Sequence, residues 1–372
     1  MPLGWKLGMT AIMKDQTIEV HIDKLVYGGK GLAFWKGQAV FVPLVLPGER
    51  VLVRLGGQRK DYWEADPLEI LEPSPERGVP RCRYFGKCGG CHWQHMGYAT
   101  QLFWKREIVK ESLVRLGKFE NPHVFTILPS PQIWGWRSRI QIHRDPKGHV
   151  GFYREQSHDV IDIDECLIAD AAVNDDLRQF RSESKNTHQM SHKETCELRS
   201  NPSGFFSQVN PAQNENLKQL LWKWAESLPH NHIVELFCGQ GNLSSVFEKR
   251  CRTLVGVDVS REAILQARKC SPQFDFYVDE AGSFYKTFQP KNPTDLLVLD
   301  PPREGCVDLV EGVVIHQPKN IFYISCNPTT LARDLKLLRE KGGYQLVSVQ
   351  PIDMFPHSFH IESLSWMRQS LG

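Results

Sequence analysis

Between residues 17 and 72 apolar and polar side chains alternate in short runs, with no helical stretch between them. The alternation predicts strands at Thr17–Leu25, Gly31–Trp35, Gln38–Val42, Glu49–Leu55 and Tyr62–Ile70. Gly28-Gly29-Lys30-Gly31, Lys36-Gly37, Pro47-Gly48 and Gly56-Gly57 separate them as turns. Five short strands in succession predict a small closed barrel of the oligonucleotide-binding kind. Glu72-Pro73-Ser74-Pro75 reads as a linker. A cysteine-rich loop follows, then a predicted helix, Ala99–Leu116, closed by Gly117. Strands are predicted around Arg137–His143 and Gly151–Arg154, turned by Asp145-Pro146-Lys147-Gly148. Residues 181–200 are polar and show no period, which predicts a loop or a mobile segment.

From Ile233 the pattern changes. Apolar strands at Ile233–Phe237, Thr253–Val257, Asp275–Val278, Leu296–Leu299 and Ile321–Ser325 alternate with helical stretches such as Arg261–Lys269 and Thr329–Glu340. That alternation predicts a parallel sheet covered on both faces, with ligands at the carboxyl ends of its strands. The chain has 372 residues, more than one core organises, so the fold class is multidomain α/β.

Composition narrows the partners. No apolar run approaches the roughly 18 residues of a membrane span, and the first sixteen residues lack a signal-type apolar stretch, so a cytoplasmic protein is expected. A net charge of +2 excludes a polycation, so any nucleic-acid binding must come from local patches. Lys24, Lys30, Lys36, Arg50 and Arg54 lie among Tyr27, Phe34 and Trp35, a mixture suited to phosphates and stacked bases, although an ordinary charged surface has the same composition.

Three groups of residues carry chemistry. The first strand of the sheet runs into Cys238-Gly239-Gln240-Gly241-Asn242 and a predicted helix, where glycines let the backbone approach a ligand. Asp258, Asp279 and Asp300 end the next three strands. Asp258 is placed to accept from both hydroxyls of a ribose, and Asp279 lies where an adenine would sit. Three acids favour a neutral-to-cationic nucleoside such as S-adenosylmethionine over a pyrophosphate; helix capping explains any one of them but not all three. Second, Cys82, Cys88 and Cys91 crowd into ten residues around Gly89-Gly90, a pattern for a soft metal centre, with Cys166 the best fourth ligand; iron–sulfur and zinc both remain open at this point. Third, the strand ending at Ser325 delivers Cys326 to the start of a helix, where a thiolate is expected to be favoured.

These residues resemble a known family, the RNA uracil-5-methyltransferases. The matching segments are Phe85–Cys91, Phe206–Asn210, Leu236–Asn242, Leu299–Arg303, Ser325–Pro328, Asp353–His357 and His360–Ser363, in the family's order across about residues 80 to 365. The resemblance implies three parts: a TRAM-like RNA-binding barrel over 1–74, a central α+β iron–sulfur domain over 75–205, and a Rossmann-like methyltransferase domain over 206–372. It implies a 4Fe–4S cluster on Cys82, Cys88, Cys91 and Cys166. Contacts to S-adenosylmethionine fall to Gln208, Phe237, Asn242, Asp258, Asp279 and Asp300, the nucleophile's role to Cys326 and the proton acceptor's to Glu362. Phe206 is a candidate for stacking on the target base. The expected activity is methylation of uridine carbon 5 in RNA by a monomer, with ribosomal RNA favoured by the barrel and the T-loop uridine of tRNA the alternative. Two departures stand out: Leu167 follows the fourth cysteine where the family often has proline, and the 181–200 stretch has no clear counterpart. An amino-group methyltransferase would also use Asp300-Pro301-Pro302, but leaves Cys326 and Glu362 without a task. A non-catalytic RNA-binding iron–sulfur sensor is the rival outside enzymes.

Overall fold

The structure, a computed structural model, describes residues 16–155, 157–186, 194–200 and 208–370. Its first sheet holds β1 (Thr17–His21), β2 (Lys24–Leu25), β3 (Gly31–Trp35), β4 (Gln38–Val42), β5 (Arg50–Gln58) and β6 (Tyr62–Glu72), in the order β1-β5-β6-β4-β3-β2. Six strands stand where five were expected, because the first predicted run breaks at Ile22-Asp23. There the chain changes partner: Ile22 N–H donates to the Glu49 carbonyl, Asp23 N–H to that of Leu32. Alternate residues such as Val20, Val40, Val51, Val53 and Trp63 share a core of their own. β1 and β3 touch although four places apart in the hydrogen-bonded order, so the sheet is strongly curled.

The stretch expected to be a linker is tied down. Buried Glu49 accepts from the backbone N–H groups of Leu46 and Ser74 and from the Arg77 guanidinium. Beyond it lies helix α1 (Tyr98–Arg115). A four-stranded antiparallel sheet follows, formed by β7 (Arg139–Arg144), β8 (Val150–Tyr153), β9 (Val160–Asp162) and β10 (Glu194–Arg199), with α2 (Ala171–Asn186). The loop expected over 181–200 is therefore overturned where the structure describes it. Val173 and Leu177, one helical turn apart and fully buried, anchor α2 before the polar tail begins, and Leu198 of β10 packs into the same core.

Helix α3 (Pro211–Ala225), capped by the Asn210 side chain, leads to the third sheet. Its strands are β11 (His232–Leu236), β12 (Thr253–Asp258), β13 (Asp275–Val278), β14 (Leu296–Leu299), β15 (Asn320–Ser325), β16 (Tyr344–Ile352) and β17 (Glu362–Gln369). The order is β13-β12-β11-β14-β15-β17-β16; β11 to β15 are mutually parallel, and β17 runs antiparallel between β15 and β16. Helices α4 (Arg261–Cys270), α5 (Ala281–Thr287), α6 (Leu309–His316) and α7 (Pro328–Gly342) complete this part. Leu297 and Leu299 belong to one core, Leu296 and Val298 to another, so β14 is buried on both faces as parallel sheets require. The first of these cores also contains Leu25, Leu46, Trp93 and residues of α1, which joins the curled sheet to the third sheet through continuous packing. One expectation fails here: the glycine loop after β11 does not enter a long helix but a single 3₁₀ turn, Ser244–Phe247, since the chain must return to β12 within a few residues.

Candidate active site

Parallel strands put their carboxyl ends on one edge, where Phe237, Asp258, Asp279, Asp300 and Cys326 lie at or directly after the ends of β11 to β15. Phe237, directly after β11, has φ of 64°. A bulky side chain pays about 1–3 kcal/mol for that left-handed backbone, the kind of local strain that clusters at ligand sites. Gly239 and Gly241 continue the turn with φ of 52° and 80°. Asp258 is aimed by two amides: Gly239 N–H donates to one carboxylate oxygen and Ser260 N–H to the other, each at 2.9 Å. Both oxygens keep a free lone pair for a ligand hydroxyl. Asn242 and Asn214 exchange reciprocal amide hydrogen bonds of 2.9 and 3.0 Å. Asp279 is exposed, and its backbone N–H donates to the Asp258 carbonyl. Gln208 is half-buried where the chain passes from the four-stranded sheet to α3; Phe206 lies outside the described residues.

Asp300, Cys326 and Glu362 form the second half of the site. The β15–β17 register ends with Ser325 opposite Ser363; Cys326 follows the one and Glu362 precedes the other, close enough for the Glu362 charge to act on the thiol. Burial pushes the Asp300 carboxyl up to about 6. Glu362 is raised well above the usual carboxylate range, first by burial and then by Asp300, so these two groups titrate as a pair. Cys326 departs from the expected favoured thiolate: burial, then the Glu362 charge, push it up to about 11, with Asp300 adding to this and Arg303 opposing it. The helix start is present, with Asn327 capping α7 and Pro328 in its first turn, but desolvation and two carboxylates outweigh it. Arg303 donates to the Tyr27 hydroxyl at 3.3 Å and pairs with His360 Nδ1 at 3.2 Å. Burial lowers His360 to about 3, which leaves a neutral, weakly basic ring.

The loop leading to Glu362 is clamped from below. Lys105 of α1 and Asp353, both fully buried, meet at 2.5 Å, and the Lys105 ammonium also donates to the Phe355 carbonyl. Gln101 brackets His357, accepting from its backbone N–H and bonding its Nδ1, while His357 itself holds φ of 66°. The backbone N–H groups of His92 and Trp93 donate to the His357 carbonyl, which ties the cysteine loop to the same segment.

Cys82, Cys88, Cys91 and Cys166 all line one cavity of about 570 Å³. None is in a disulfide. Burial pushes Cys88 up to about 11 and Cys91 to about 12, and the neighbouring thiols add to both shifts. Trp136, on the same wall, has a buried indole N–H without a partner among the described residues. Among the described residues no group of three or more His, Cys, Asp and Glu is arranged to hold a single metal ion. Sequence reasoning read Tyr27 only as part of an RNA-facing mixture on the barrel, and missed Lys105 and Glu235. Only Glu235 left a signal, an acid inside the apolar run Ile233–Leu236; it is buried, bonds the Ser244 hydroxyl, and is pushed up to about 8 by burial.

A sheet ordered as here, with strand-end acids along its carboxyl edge, defines the class of S-adenosylmethionine-dependent methyltransferases. A family model described as tRNA (uracil-5-)-methyltransferase matches residues 289–370. A protein of Bdellovibrio bacteriovorus described as an uncharacterized RNA methyltransferase is 30% identical, over 97% of this chain and 97% of its own. One of Thermosynechococcus vestitus, similarly described, is 28% identical over 97% of this chain and 100% of its own. The chain belongs to the RNA uracil-5-methyltransferase family and is an S-adenosylmethionine-dependent RNA methyltransferase. The crystal structure of a Pyrococcus abyssi tRNA (uracil-54, C5)-methyltransferase with S-adenosyl-L-homocysteine shares the fold, with a TM-score of 0.70 and 24% identity, over 94% of this chain and 100% of that one. Among the described residues no helix is long and apolar enough to cross a membrane.

Proposed function

We propose that this enzyme methylates carbon 5 of a uridine in structured RNA through a covalent bond between Cys326 and carbon 6 of the uracil. The observation that carries this reading is a thiol directly after β15 that feels the charge of buried Glu362, the first residue of the neighbouring strand β17, at the edge where the strand-end acids lie. An amino-group methyltransferase has no use for either residue. Carbon 5 of uracil is a poor nucleophile. When the Cys326 thiolate adds to carbon 6, the ring electrons shift into an enolate, and carbon 5 can then take the methyl group. S-adenosylmethionine supplies that methyl as an electrophile and leaves as the neutral thioether. Glu362 accepts the carbon 5 proton, the 5,6 double bond re-forms, and the sulfur departs as thiolate. Burial raises both Cys326 and Glu362, so the mechanism needs both ionised in the filled site, their protons released to solvent; a sulfonium beside Asp300 and Glu362 would supply the compensating positive charge. The base must leave its stack to reach this pocket.

On the cofactor side, Asp258 holds the ribose, Asp279 lies by the adenine, and Phe237, Asn242, Gln208 and Asp300 complete the contacts. The four cysteines would hold a 4Fe–4S cluster. What supports this reading is that all four thiols line one cavity and that neighbouring thiols act on Cys88 and Cys91; zinc would take the same four thiolates. Its place is structural, since polar methyl transfer moves no unpaired electron.

The curled N-terminal sheet, read as a TRAM-like barrel, favours ribosomal RNA in the sequence analysis. The Pyrococcus abyssi fold covers nearly the whole of this chain, and that enzyme's described substrate is tRNA. The sheet therefore does not separate the two, and the T-loop of tRNA stands as the second reading. Mass-spectrometric mapping of 5-methyluridine in ribosomal RNA and tRNA, with and without the gene, tests both. A missing methyl in either RNA supports the proposal; unchanged 5-methyluridine in both contradicts it.

A further inference from the structure

One side chain that bonds the proposed nucleophile's backbone comes from a distant part of the chain. Tyr27 sits in the turn between β2 and β3, and its hydroxyl donates to the Cys326 carbonyl at 3.3 Å while accepting from the Arg303 guanidinium at 3.3 Å. Its ring stands edge-on to Phe359, in the loop before Glu362. The turn has no freedom to wander. Trp93 Nε1 donates to the Gly29 carbonyl at 3.1 Å, and a Cβ on Gly29 would meet the Phe359 ring at 3.0 Å. Gly28 and Gly29 both hold positive φ, so few other residues could make this approach. Lys24 at the foot of the turn pairs with Glu111 of α1 at 2.5 Å, which pins the sheet against the catalytic part.

We propose that Tyr27 is a positioning residue for methyl transfer, holding the Arg303 guanidinium on the Cys326 side of the site and fixing the backbone that carries the thiol. This rests on the reading of Cys326 as nucleophile. A phenylalanine would fill the same space, so packing does not account for the hydroxyl; both of its hydrogen bonds go to residues of the site. The charged groups facing Cys326 are Glu362 from β17, Asp300 after β14 and Arg303 beyond it, and only Arg303 favours the thiolate. Arg303 has two side-chain anchors, Tyr27 and His360 Nδ1. The N-terminal sheet, on this view, completes the active site as well as meeting RNA.

The test is Tyr27→Phe in the full-length enzyme, which keeps the ring. Three quantities are read: the pH dependence of Cys326 alkylation by iodoacetamide, followed by peptide mass spectrometry; kcat and KM on RNA; and the affinity for S-adenosylhomocysteine. We expect the alkylation midpoint to rise by about half a pH unit or more and kcat to fall about tenfold, the scale of one hydrogen bond to a charged group. KM for RNA and cofactor affinity should stay unchanged. Combined with Arg303→Lys, the Tyr27→Phe change should add no further loss. An unshifted alkylation profile overturns the proposal, whether kcat is normal or falls together with thermal stability and RNA affinity. Cys326→Ala serves as the separate control: full activity there defeats the nucleophile assignment, whereas a dead Cys326→Ala beside a normal Tyr27→Phe defeats only the role of Tyr27.

Discussion

Lys105→Met should be among the most destabilising single changes in this protein. The Lys105 ammonium and the Asp353 carboxylate are both fully buried and 2.5 Å apart. The substitution keeps the aliphatic stem but strands the carboxylate, leaving it one hydrogen bond of 2.7 Å from the Tyr98 hydroxyl. Removing one partner of such a pair costs about 3–5 kcal/mol, because the remaining charge stays out of water. Asp353→Asn should cost less: burial already lowers the lysine's affinity for its proton, and the Phe355 carbonyl remains as an acceptor at 2.9 Å. The double variant Lys105→Met/Asp353→Leu should recover most of the stability, since an apolar pair of similar volume replaces two buried charges. Its kcat should nevertheless stay low, because the segment from Asp353 to Glu362 loses the anchor that aligns it. Urea unfolding followed by tryptophan fluorescence, with kcat measured on the same three proteins, separates the two effects. A loss below about 1 kcal/mol for Lys105→Met would refute the reasoning, since that is the range of a solvent-exposed pair.

Three further outcomes follow from the site. Asp258→Ala should weaken S-adenosylmethionine binding by about 1–3 kcal/mol, the cost of unpaired ribose hydroxyls; unchanged affinity by calorimetry would move the ribose elsewhere. Glu235 is pushed up to about 8 from an ordinary value near 4.5, so the folded state holds its proton more tightly than the unfolded chain. Its contribution is intact below about pH 4.5 and is lost as pH rises towards 8, so Glu235→Gln should raise the melting temperature relative to the parent at pH 8 but not at pH 4.5; a gain only at acid pH would reverse the sign. Protein purified without oxygen should carry iron and sulfide, with Cys166→Ser losing both; stoichiometric zinc without iron would end the cluster assignment.

The sequence made β11, β14 and β15 legible because strands buried on both faces are largely apolar, as Leu296–Leu299 is; edge strand β13, mostly exposed, was legible from its apolar Phe276-Tyr277-Val278 run. β17 escaped because Glu362, Ser363 and Ser365 are polar yet buried, a pattern that local hydropathy reads as surface. Helix α2 escaped because its buried Val173 and Leu177 precede a polar tail that dominates any window centred later. The chemistry divided in the same way. Cys326 was found from its place between a strand and a proline-opened helix, both local features. Its low acidity was not, because the carboxylates that oppose the thiolate arrive from β14 and β17. Tyr27 was read as an RNA-facing aromatic, and its place beside Cys326 was not legible, because the two meet only after the curled sheet packs on α1.

The assignment of separate steps to Cys326 and Glu362 can be read in one denaturing gel. RNA and methyl-labelled S-adenosylmethionine are incubated with the parent enzyme, Cys326→Ala and Glu362→Gln, and protein-linked RNA is scored for the methyl label. Glu362→Gln should add the thiolate and transfer the methyl group but stall before elimination, so a methylated protein–RNA band accumulates. Cys326→Ala should give neither band nor product. Full methylation by Cys326→Ala, or normal turnover without a trapped band by Glu362→Gln, would contradict the assignment of those steps.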